Sequence, residues 1–293
     1  MEQMITIITT VYNRAGLMAK LYESLVKQKR KNFIWLVVDD GSEDDIEIVM
    51  ERFALQREFP IEFVRKKNGG KHTALNVAFG NLKTELAMTV DSDDTLVPEA
   101  TEIIENTWKM RETLDVAGIV FLKGKNINEH IGKSEISDGC YDMLKVMFSG
   151  KIAGDKAEVF RSDILKKYRF PEYENEKFLG EDYVWRQIYL KNKMMYVNRI
   201  IYLCDYLEGG LTKQGRKLRI SCPLGGMDNS KVSFQKRIPL KERIKRAWLY
   251  VCYGKFAGYS FDKIVRSSGA PKLIVANYFP GYMLFLFWKK KYM

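Results

Sequence analysis

The chain contains few of the residues that build the commonest metal and hydrolytic sites. Its 293 residues include four cysteines and two histidines, His72 and His130, and neither type has the spacing of zinc ligands. This scarcity disfavours both a zinc centre and a Ser-His-Asp triad. We expect the scattered cysteines to be reduced, as is typical of a cytoplasmic protein.

Long hydrophobic runs and the common nucleotide-binding patterns are also missing. The most apolar stretch, residues 273–288, contains Pro280 and Gly281. It falls short of the roughly 20 residues that a membrane-spanning helix requires. The chain has no GxxxxGK[ST] pattern and no GxGxxG after its first predicted strand, so a P-loop site and a dinucleotide site are both disfavoured.

Positive charge is concentrated near the end of the chain. Residues 213–293 hold 18 of the 48 lysines and arginines but three acids, whereas residues 1–212 are mildly acidic. Such a segment can face anionic lipid, nucleic acid or a phosphate-bearing substrate. Aromatic residues accompany the basic ones and no nucleic-acid module is recognisable, so we favour a membrane surface. A helix that packs on the core with a solvated basic face is the alternative.

Strand and helix patterns alternate over the first 120 residues. The predicted strands are Met4–Val11, Phe33–Asp39, Ile61–Arg65, Leu86–Val90 and Val116–Leu122. Helical patterns separate them, which is typical of an α/β fold with a mostly parallel, doubly wound sheet and helices on both faces.

The pattern is less regular after residue 123. We predict a late strand over Met195–Cys204, a basic loop over residues 209–226 and a helix or helix pair over Pro239–Ser267. The predicted domains are residues 1–210, with halves at about 1–122 and 123–210, and a basic, aromatic-rich helical region over 211–293.

Polar residues follow each of the first four strands. These clusters are Thr9–Arg14, Asp39–Ser42, Asn68–Lys71 and Asp91–Asp94. Because parallel strands end at the same edge of a sheet, we expect all four clusters to meet in one ligand crevice.

The residue types in this crevice suit a nucleoside diphosphate with a divalent cation. Asp91 and Asp93 offer the oxygen ligands that Mg²⁺ and Mn²⁺ prefer. Tyr12 can stack on a base, the carboxylate of Asp40 can accept hydrogen bonds from base N–H groups, and Lys71 can meet a phosphate.

The order of these motifs resembles family 2 glycosyltransferases, which have the GT-A fold. The matching segments are Thr10–Arg14, Val38–Ser42, Asn68–Lys71, Asp91–Asp93 (the DxD motif) and Gly180–Asp182. The resemblance covers about residues 4–205.

The resemblance implies roles for individual residues. The donor would be bound by Thr10, Tyr12, Asp40, Lys71, Asp91 and Ser92. The metal, Mn²⁺ or Mg²⁺, would be held by Asp93, with Asp91 contacting the ribose or the metal. Family members usually invert the anomeric centre, which requires a general base on the acceptor hydroxyl.

Asp182 best matches the usual position of the base, with Glu181 as the alternative. Both acids begin a predicted helix over Glu181–Asn192, and ordinary first-turn acids are common at helix starts. Asp155 and Trp185 are candidates for contacting the acceptor.

The sequence therefore predicts a metal-dependent, inverting glycosyltransferase that uses a nucleotide-sugar, which we expect to be a UDP-sugar. The acceptor would be a glycan or a polyprenyl-linked saccharide of the cell envelope. We expect a cytoplasmic protein, peripheral on the inner face of the membrane, with no nucleic-acid partner. The alternatives are a sugar-nucleotide nucleotidyltransferase and a non-catalytic nucleotide-sugar-binding membrane scaffold.

Overall fold

Packing divides the chain into two compact units. The structure, a computed structural model, describes residues 3–110, 115–204 and 211–293, with side chains from residue 215 in the last range. The first unit comprises residues 1–169 and 191–207, and the second comprises residues 170–190 and 208–293. The sequence predicts a domain boundary after residue 210, and packing groups residues 170–190 with the C-terminal region.

The described elements alternate in the first half and become helical towards the end. The helices are α1 (Met18–Val26), α2 (Ile46–Leu55), α3 (Lys71–Gly80), α4 (Ala100–Lys109), α5 (Met143–Phe148), α6 (Ser162–Leu165), α7 (Asp182–Lys191), α8 (Leu211–Ile220), α9 (Pro223–Val232), α10 (Leu240–Phe256), α11 (Phe261–Ser267) and α12 (Pro271–Tyr292). The strands are β1 (Ile5–Val11), β2 (Phe33–Asp39), β3 (Ile61–Arg65), β4 (Leu86–Thr89), β5 (Thr95–Leu96), β6 (Gly118–Asn126), β7 (Glu129–His130), β8 (Lys133–Ser134), β9 (Gly139–Tyr141), β10 (Ile152–Ala153), β11 (Lys156–Arg161) and β12 (Met194–Leu203).

The first unit is built on one mixed sheet with the strand order β3-β2-β1-β4-β11-β6-β12-β5. Strands β3, β2, β1 and β4 are parallel neighbours, and β6 is parallel to β12. Strand β11 lies antiparallel between β4 and β6. The sequence did not predict β11, whose segment begins with polar residues and follows a glycine turn.

Helices cover both faces of this sheet, as predicted. Ile5 and Ile7 of β1 share one buried cluster with residues of α1, α2 and α4. Residues alternate in direction along a strand, so Ile8 faces the opposite side. Helix α3 packs against β1 and β2 and supplies no residue to the first cluster. The sheet is therefore buried on both sides, which explains its continuous apolar strands.

The second unit is a helical assembly with its own apolar core. Residues of α8 to α12 form this core, among them Tyr250, Val251 and Trp288. The prediction of a basic loop over 209–226 was wrong for residues 211–220 and 223–226, which form α8 and the start of α9, while residues 209 and 210 lie outside the described residues. A Cβ atom on Gly226 would lie 2.8 Å from the ring of Tyr253, so this glycine permits close packing of α9 against α10.

Helix α12 continues through Pro280 and Gly281, where the sequence suggested an interruption. A Cβ on Gly281 would lie 2.6 Å from Cβ of Val251, so the residue after the proline must be small for α12 to pack tightly on α10. Pro280 removes one backbone donor from the helix. Among the described residues, no helix combines the length and apolarity that crossing a bilayer demands.

Candidate active site

The polar ends of four strands meet at one edge of the sheet in the first unit. Val11 pairs with Asp39, Asp39 pairs with Arg65, and Ile8 pairs with Thr89. The turns that follow β1, β2, β3 and β4 therefore leave the sheet side by side. This arrangement confirms the prediction that the four clusters share an edge, which is where open α/β sheets bind ligands.

Asp40 lies beneath the glycine turn between β3 and α3. Its side chain is buried, and its carboxylate accepts hydrogen bonds from the Lys66 Nζ at 2.7 Å, the Gly69 N–H at 3.0 Å and the Gly70 N–H at 2.6 Å. Asn68 Nδ2 donates to the same carboxylate. In this conformation Asp40, which we predicted to bind the nucleoside, holds the turn that leads to Lys71 in place.

The glycine at the start of α3 is required by the backbone. Gly70 has a φ of 94°, a conformation that residues with a Cβ rarely adopt. Helix α3 begins at the next residue, Lys71, whose Nζ lies 2.5 Å from Oδ1 of Asp91. The turn after β3 thus places the ammonium group of Lys71 against Asp91, the first carboxylate of the DxD motif.

Tyr202 of β12 supports the turn that contains Asp91 and Asp94. The Asp91 N–H donates to the Tyr202 hydroxyl at 3.0 Å, and this hydroxyl donates to Oδ2 of Asp94 at 2.7 Å. Tyr202 is fully buried, and burial together with both carboxylates raises its pKa, so it remains a neutral donor. Sequence reasoning missed Tyr202, because an aromatic residue in an apolar strand carries no signal of a polar role.

Both outer carboxylates of the DxD motif are paired with cations. Arg14 Nη1 lies 3.0 Å from Oδ2 of Asp93, and Lys71 lies against Asp91. Burial alone would raise the pKa of Asp91, but Lys71, Lys123 and Arg14 outweigh it and lower that pKa to about 2. Asp91 is therefore ionised at neutral pH.

The remaining predicted donor residues differ in exposure. Tyr12 is exposed and available for stacking, whereas Thr10 is half-buried and Ser92 is buried in the DxD turn. Asp155 is exposed at the start of β11. Burial raises the pKa of Cys204 to about 12, Lys123 opposes this, and Asp94, Asp91 and Asp155 add to it. Of these influences on Cys204, that of Asp155 is the smallest.

A divalent cation would find two carboxylates here and would need other ligands. Within residues 3–110, 115–204 and 211–293, no group of three or more histidine, cysteine or acidic side chains is arranged to hold a metal. Mg²⁺ and Mn²⁺ commonly combine one or two carboxylates with waters and substrate phosphates. Asp91 and Asp93 fit that donor set.

The predicted general base belongs to the second unit. Asp182 begins α7, and its side chain is half exposed. Its Oδ1 accepts from Asn229 Nδ2 at 2.9 Å, and its Oδ2 accepts from Arg186 Nη2 at 2.8 Å. Arg186 is buried and also donates to Ser233 Oγ at 3.0 Å. Since each carboxylate oxygen has two lone pairs, both oxygens can still accept a further proton donor.

The other predicted residues of this segment are more enclosed. Glu181 is half-buried, and its backbone carbonyl accepts from the N–H groups of Val184 and Trp185. Trp185 is buried, which favours a packing role over the predicted contact with an acceptor. The nearby Glu176 accepts from the backbone N–H groups at the start of α9 and so fixes residues 170–190 to that helix.

A sequence model described as "Glycosyl transferase family 2" matches residues 6–169. "Glycosyltransferase GlyA" of Streptococcus pneumoniae serotype 4 is 24% identical over 72% of this chain and 32% of its own length. "GalNAc(5)-diNAcBac-PP-undecaprenol beta-1,3-glucosyltransferase" of Campylobacter jejuni is 24% identical over 67% of this chain and 62% of its own. The chain thus spans about a third of the first relative and under two thirds of the second.

Two solved structures share the fold. S. aureus TarS residues 1–349 in complex with UDP-GlcNAc superimposes with a TM-score of 0.62 at 17% identity, covering 94% of this chain and 89% of that one. The mannosyltransferase PcManGT from Pyrobaculum calidifontis, in complex with GDP-Man and Mn²⁺, gives a TM-score of 0.56 at 15% identity, covering 98% and 88%. At these identities the likeness extends to the fold, including the helical C-terminal region.

Proposed function

The chain belongs to glycosyl transferase family 2, and we propose that it transfers a sugar from a nucleotide-sugar to a hydroxyl group of a glycan or lipid-linked acceptor. The observation that carries this proposal is the DxD turn at the carboxyl end of β4, with Arg14 and Lys71 against its carboxylates. Cationic side chains that can meet phosphate, next to carboxylates that can hold a cation, suit a nucleoside diphosphate bound with a metal, and Tyr12 is exposed for stacking on a base.

In this proposal the first unit binds the donor. Tyr12 stacks on the base, with Thr10 beside it, while Asp40 holds the glycine turn and can bind the nucleoside. Lys71 and the turn at Ser92 lie along the diphosphate. Asp93 and Asp91 would hold Mn²⁺ or Mg²⁺, which when bound would stabilise negative charge on the leaving diphosphate.

The acceptor hydroxyl loses its proton to a carboxylate as it attacks the anomeric carbon. We assign this role to Asp182, from its motif position, with Glu181 as the alternative. The new glycosidic bond forms on the face opposite the breaking bond to the diphosphate, so the anomeric configuration inverts. Asn229 and Arg186 keep the carboxylate of Asp182 oriented for this proton transfer.

A UDP-sugar is the proposed donor, and TarS, of the same fold, has been solved with UDP-GlcNAc. We expect UDP with Mn²⁺ to raise the melting temperature of the full chain more than GDP or CDP does. A ligand at 100 times its dissociation constant adds about 2.7 kcal/mol of stability. Differential scanning fluorimetry of the three nucleotides, with and without Mn²⁺, checks this.

A larger shift with GDP would reassign the donor to a GDP-sugar, such as the one bound in PcManGT. The absence of any nucleotide shift would favour a non-catalytic scaffold. Release of pyrophosphate from a nucleoside triphosphate would favour a nucleotidyltransferase, although family membership already counts against that reading.

The acceptor is proposed to be polyprenyl-linked, because the C. jejuni relative is named for an undecaprenol-linked substrate. The second unit supports work at a membrane surface. Helix α12 exposes the side chains of Val275, Phe279, Met283, Leu286 and Phe287. These positions lie on one helical face over about 18 Å. Large exposed apolar patches commonly mark interaction surfaces.

Lysines flank this apolar face at both ends. Lys272 lies in its first turn and Lys289–Lys291 in its last. Exposed aromatic and aliphatic side chains bordered by lysines are typical of helices that lie in the surface of an anionic bilayer. We propose that α12 attaches the protein peripherally to the inner face of the cell membrane.

The double substitution Phe279→Ser and Phe287→Ser should reduce binding to vesicles of equal phosphatidylglycerol and phosphatidylcholine by at least about tenfold. Burying one phenylalanine contributes about 1.5–3 kcal/mol, and each 1.4 kcal/mol is a factor of ten in binding. Both side chains are well exposed, at 72% and 58%, so folding should be unaffected. Co-sedimentation at low salt measures the effect.

Leu55→Ser is the matched control for that experiment, since Leu55 is an exposed apolar residue of the first unit. Its vesicle binding should equal that of the unmodified chain. An unmodified chain that stays in the supernatant with anionic vesicles at low salt would contradict membrane attachment.

A further inference from the structure

Arg14 forms an ion pair with Asp93, the carboxylate that the proposed function assigns to the metal. Its guanidinium lies 3.0 Å from Asp93. The side chain of Asp93 is 14% exposed and that of Arg14 is 31% exposed, so the pair is partly shielded from water. Arg14 contacts Oδ2 of Asp93, and a divalent cation bound at either oxygen of that carboxylate would lie close to the guanidinium and be repelled by its charge. Metal binding at Asp93 therefore competes with this ion pair.

The charges around the DxD turn are already balanced without a metal. Three carboxylates, Asp91, Asp93 and Asp94, are accompanied by Arg14, Lys71 and Lys123, as their contacts and electrostatic influence indicate. A divalent cation alone would leave this cluster with excess positive charge. A nucleoside diphosphate alone would leave excess negative charge. Together they nearly cancel, which favours their binding as a pair.

The small number of protein ligands for a metal also favours joint binding of the metal and the nucleoside diphosphate. In the part of the chain that the structure describes, no three or more histidine, cysteine or acidic side chains are grouped to hold a metal. A cation at Asp91 and Asp93 would thus take its remaining ligands from waters or from phosphate oxygens, and the negative charge of a diphosphate would hold it more firmly than water does. Arginine also pairs well with phosphate, because its planar fork matches two oxygens.

We propose that Arg14 pairs with Asp93 in place of the metal until a nucleoside diphosphate binds. Arg14 then moves to the phosphates, and Asp93 becomes available to the metal. This inference rests on the proposed metal-dependent function. It makes Arg14 a positioning residue that suppresses metal binding by the nucleotide-free protein. The two ligands consequently bind interdependently, and each raises the affinity for the other by the same factor.

The test is a titration of the full chain with Mn²⁺ alone and with Mn²⁺ plus UDP, read by the electron paramagnetic resonance signal of free Mn²⁺. This readout does not depend on turnover. In the unmodified chain, UDP should raise Mn²⁺ affinity by about tenfold or more, within the usual range of coupling between ligands. In Arg14→Gln, affinity for Mn²⁺ alone should rise about fivefold, and the enhancement by UDP should shrink to a few-fold or less.

Two further variants make the result specific. Arg52→Gln removes a positive charge from α2, outside the DxD turn, and should leave both affinities unchanged. Arg14→Lys keeps the charge on a shorter side chain and should give intermediate values. Circular dichroism confirms that each variant is folded.

The outcomes distinguish an error in the role of Arg14 from an error in the proposed metal dependence. If UDP strengthens Mn²⁺ binding in the unmodified chain but Arg14→Gln binds Mn²⁺ alone no better, the role of Arg14 is wrong and the proposed function stands. If the unmodified chain binds no Mn²⁺ even with UDP, both the metal dependence and the role of Arg14 are wrong.

Discussion

Replacing Asp182 with asparagine should slow sugar transfer by about 10² to 10⁴, the usual contribution of a general base. Asparagine has nearly the same shape but cannot take the proton from the acceptor hydroxyl. UDP should still stabilise the variant in the presence of Mn²⁺, because the donor residues belong to the first unit. Release of UDP from the nucleotide-sugar that gives the largest thermal shift measures the rate.

Glu181→Gln is the matched variant, since it changes the neighbouring acid in the same conservative way. We expect it to lose less than about tenfold in rate, short of the range for a general base. If instead Glu181→Gln abolishes turnover while Asp182→Asn keeps it, the two roles are reversed. Near-normal turnover in both variants would place the base outside the Gly180–Asp182 motif.

The contacts of Asp182 add a structural component to this prediction. Arg186 is buried and takes Asp182 as an acidic partner at 2.8 Å. Losing that partner leaves Arg186 less well compensated, which lowers the stability of the second unit. A melting curve of Asp182→Asn separates this effect on stability from the effect on catalysis. If the variant is folded at the assay temperature but has no turnover, the assignment of Asp182 as the base stands even when its melting temperature is lower.

Replacing Asp93 with asparagine should reduce turnover by about 10³ and remove the dependence on Mn²⁺. A bound metal contributes several kcal/mol by stabilising developing charge on the leaving group, and about 4 kcal/mol corresponds to this factor. The Mn²⁺-dependent part of the UDP thermal shift should disappear as well. Turnover across a range of Mn²⁺ concentrations, together with the thermal shift, provides the measurement.

Asp163→Asn serves as the control for a lost carboxylate in the same unit. Asp163 pairs with Arg161 just beyond the end of β11, away from the strand ends that form the site. It should keep both turnover and the Mn²⁺ response. Asp93→Asn with normal, metal-dependent turnover would show that the metal is held elsewhere.

The order of short motifs was sufficient to predict the family and the shared edge of the site. Each motif follows an apolar strand, and parallel strands bring their carboxyl ends together whatever lies between them. The positions of Asp91, Asp93 and Lys71 on one edge therefore follow from local pattern alone. The excess of basic residues after residue 213 likewise predicted a separate, positively charged helical region.

Local pattern was misleading where packing decides secondary structure. Gly225, Gly226 and Pro280 are turn and helix-breaking residues in isolation, yet they lie inside α9 and α12. Gly226 and Gly281 fit because neighbouring helices approach too closely for a Cβ atom. Tertiary contacts outweigh the intrinsic cost of glycine in a helix, which is about 1 kcal/mol per residue.

The strand ends, their carboxylates and the basic C-terminal region are encoded in composition, periodicity and spacing, because these depend on neighbours along the chain. The partners of the carboxylates depend on contacts between distant segments. Tyr202 reaches Asp91 across 111 residues, and Asn229 reaches Asp182 across 47. Such pairs form only when the sheet order and helix packing are set. The choice of Arg14 as the cation on Asp93, and of α9 as the support of Asp182, therefore belongs to the tertiary structure.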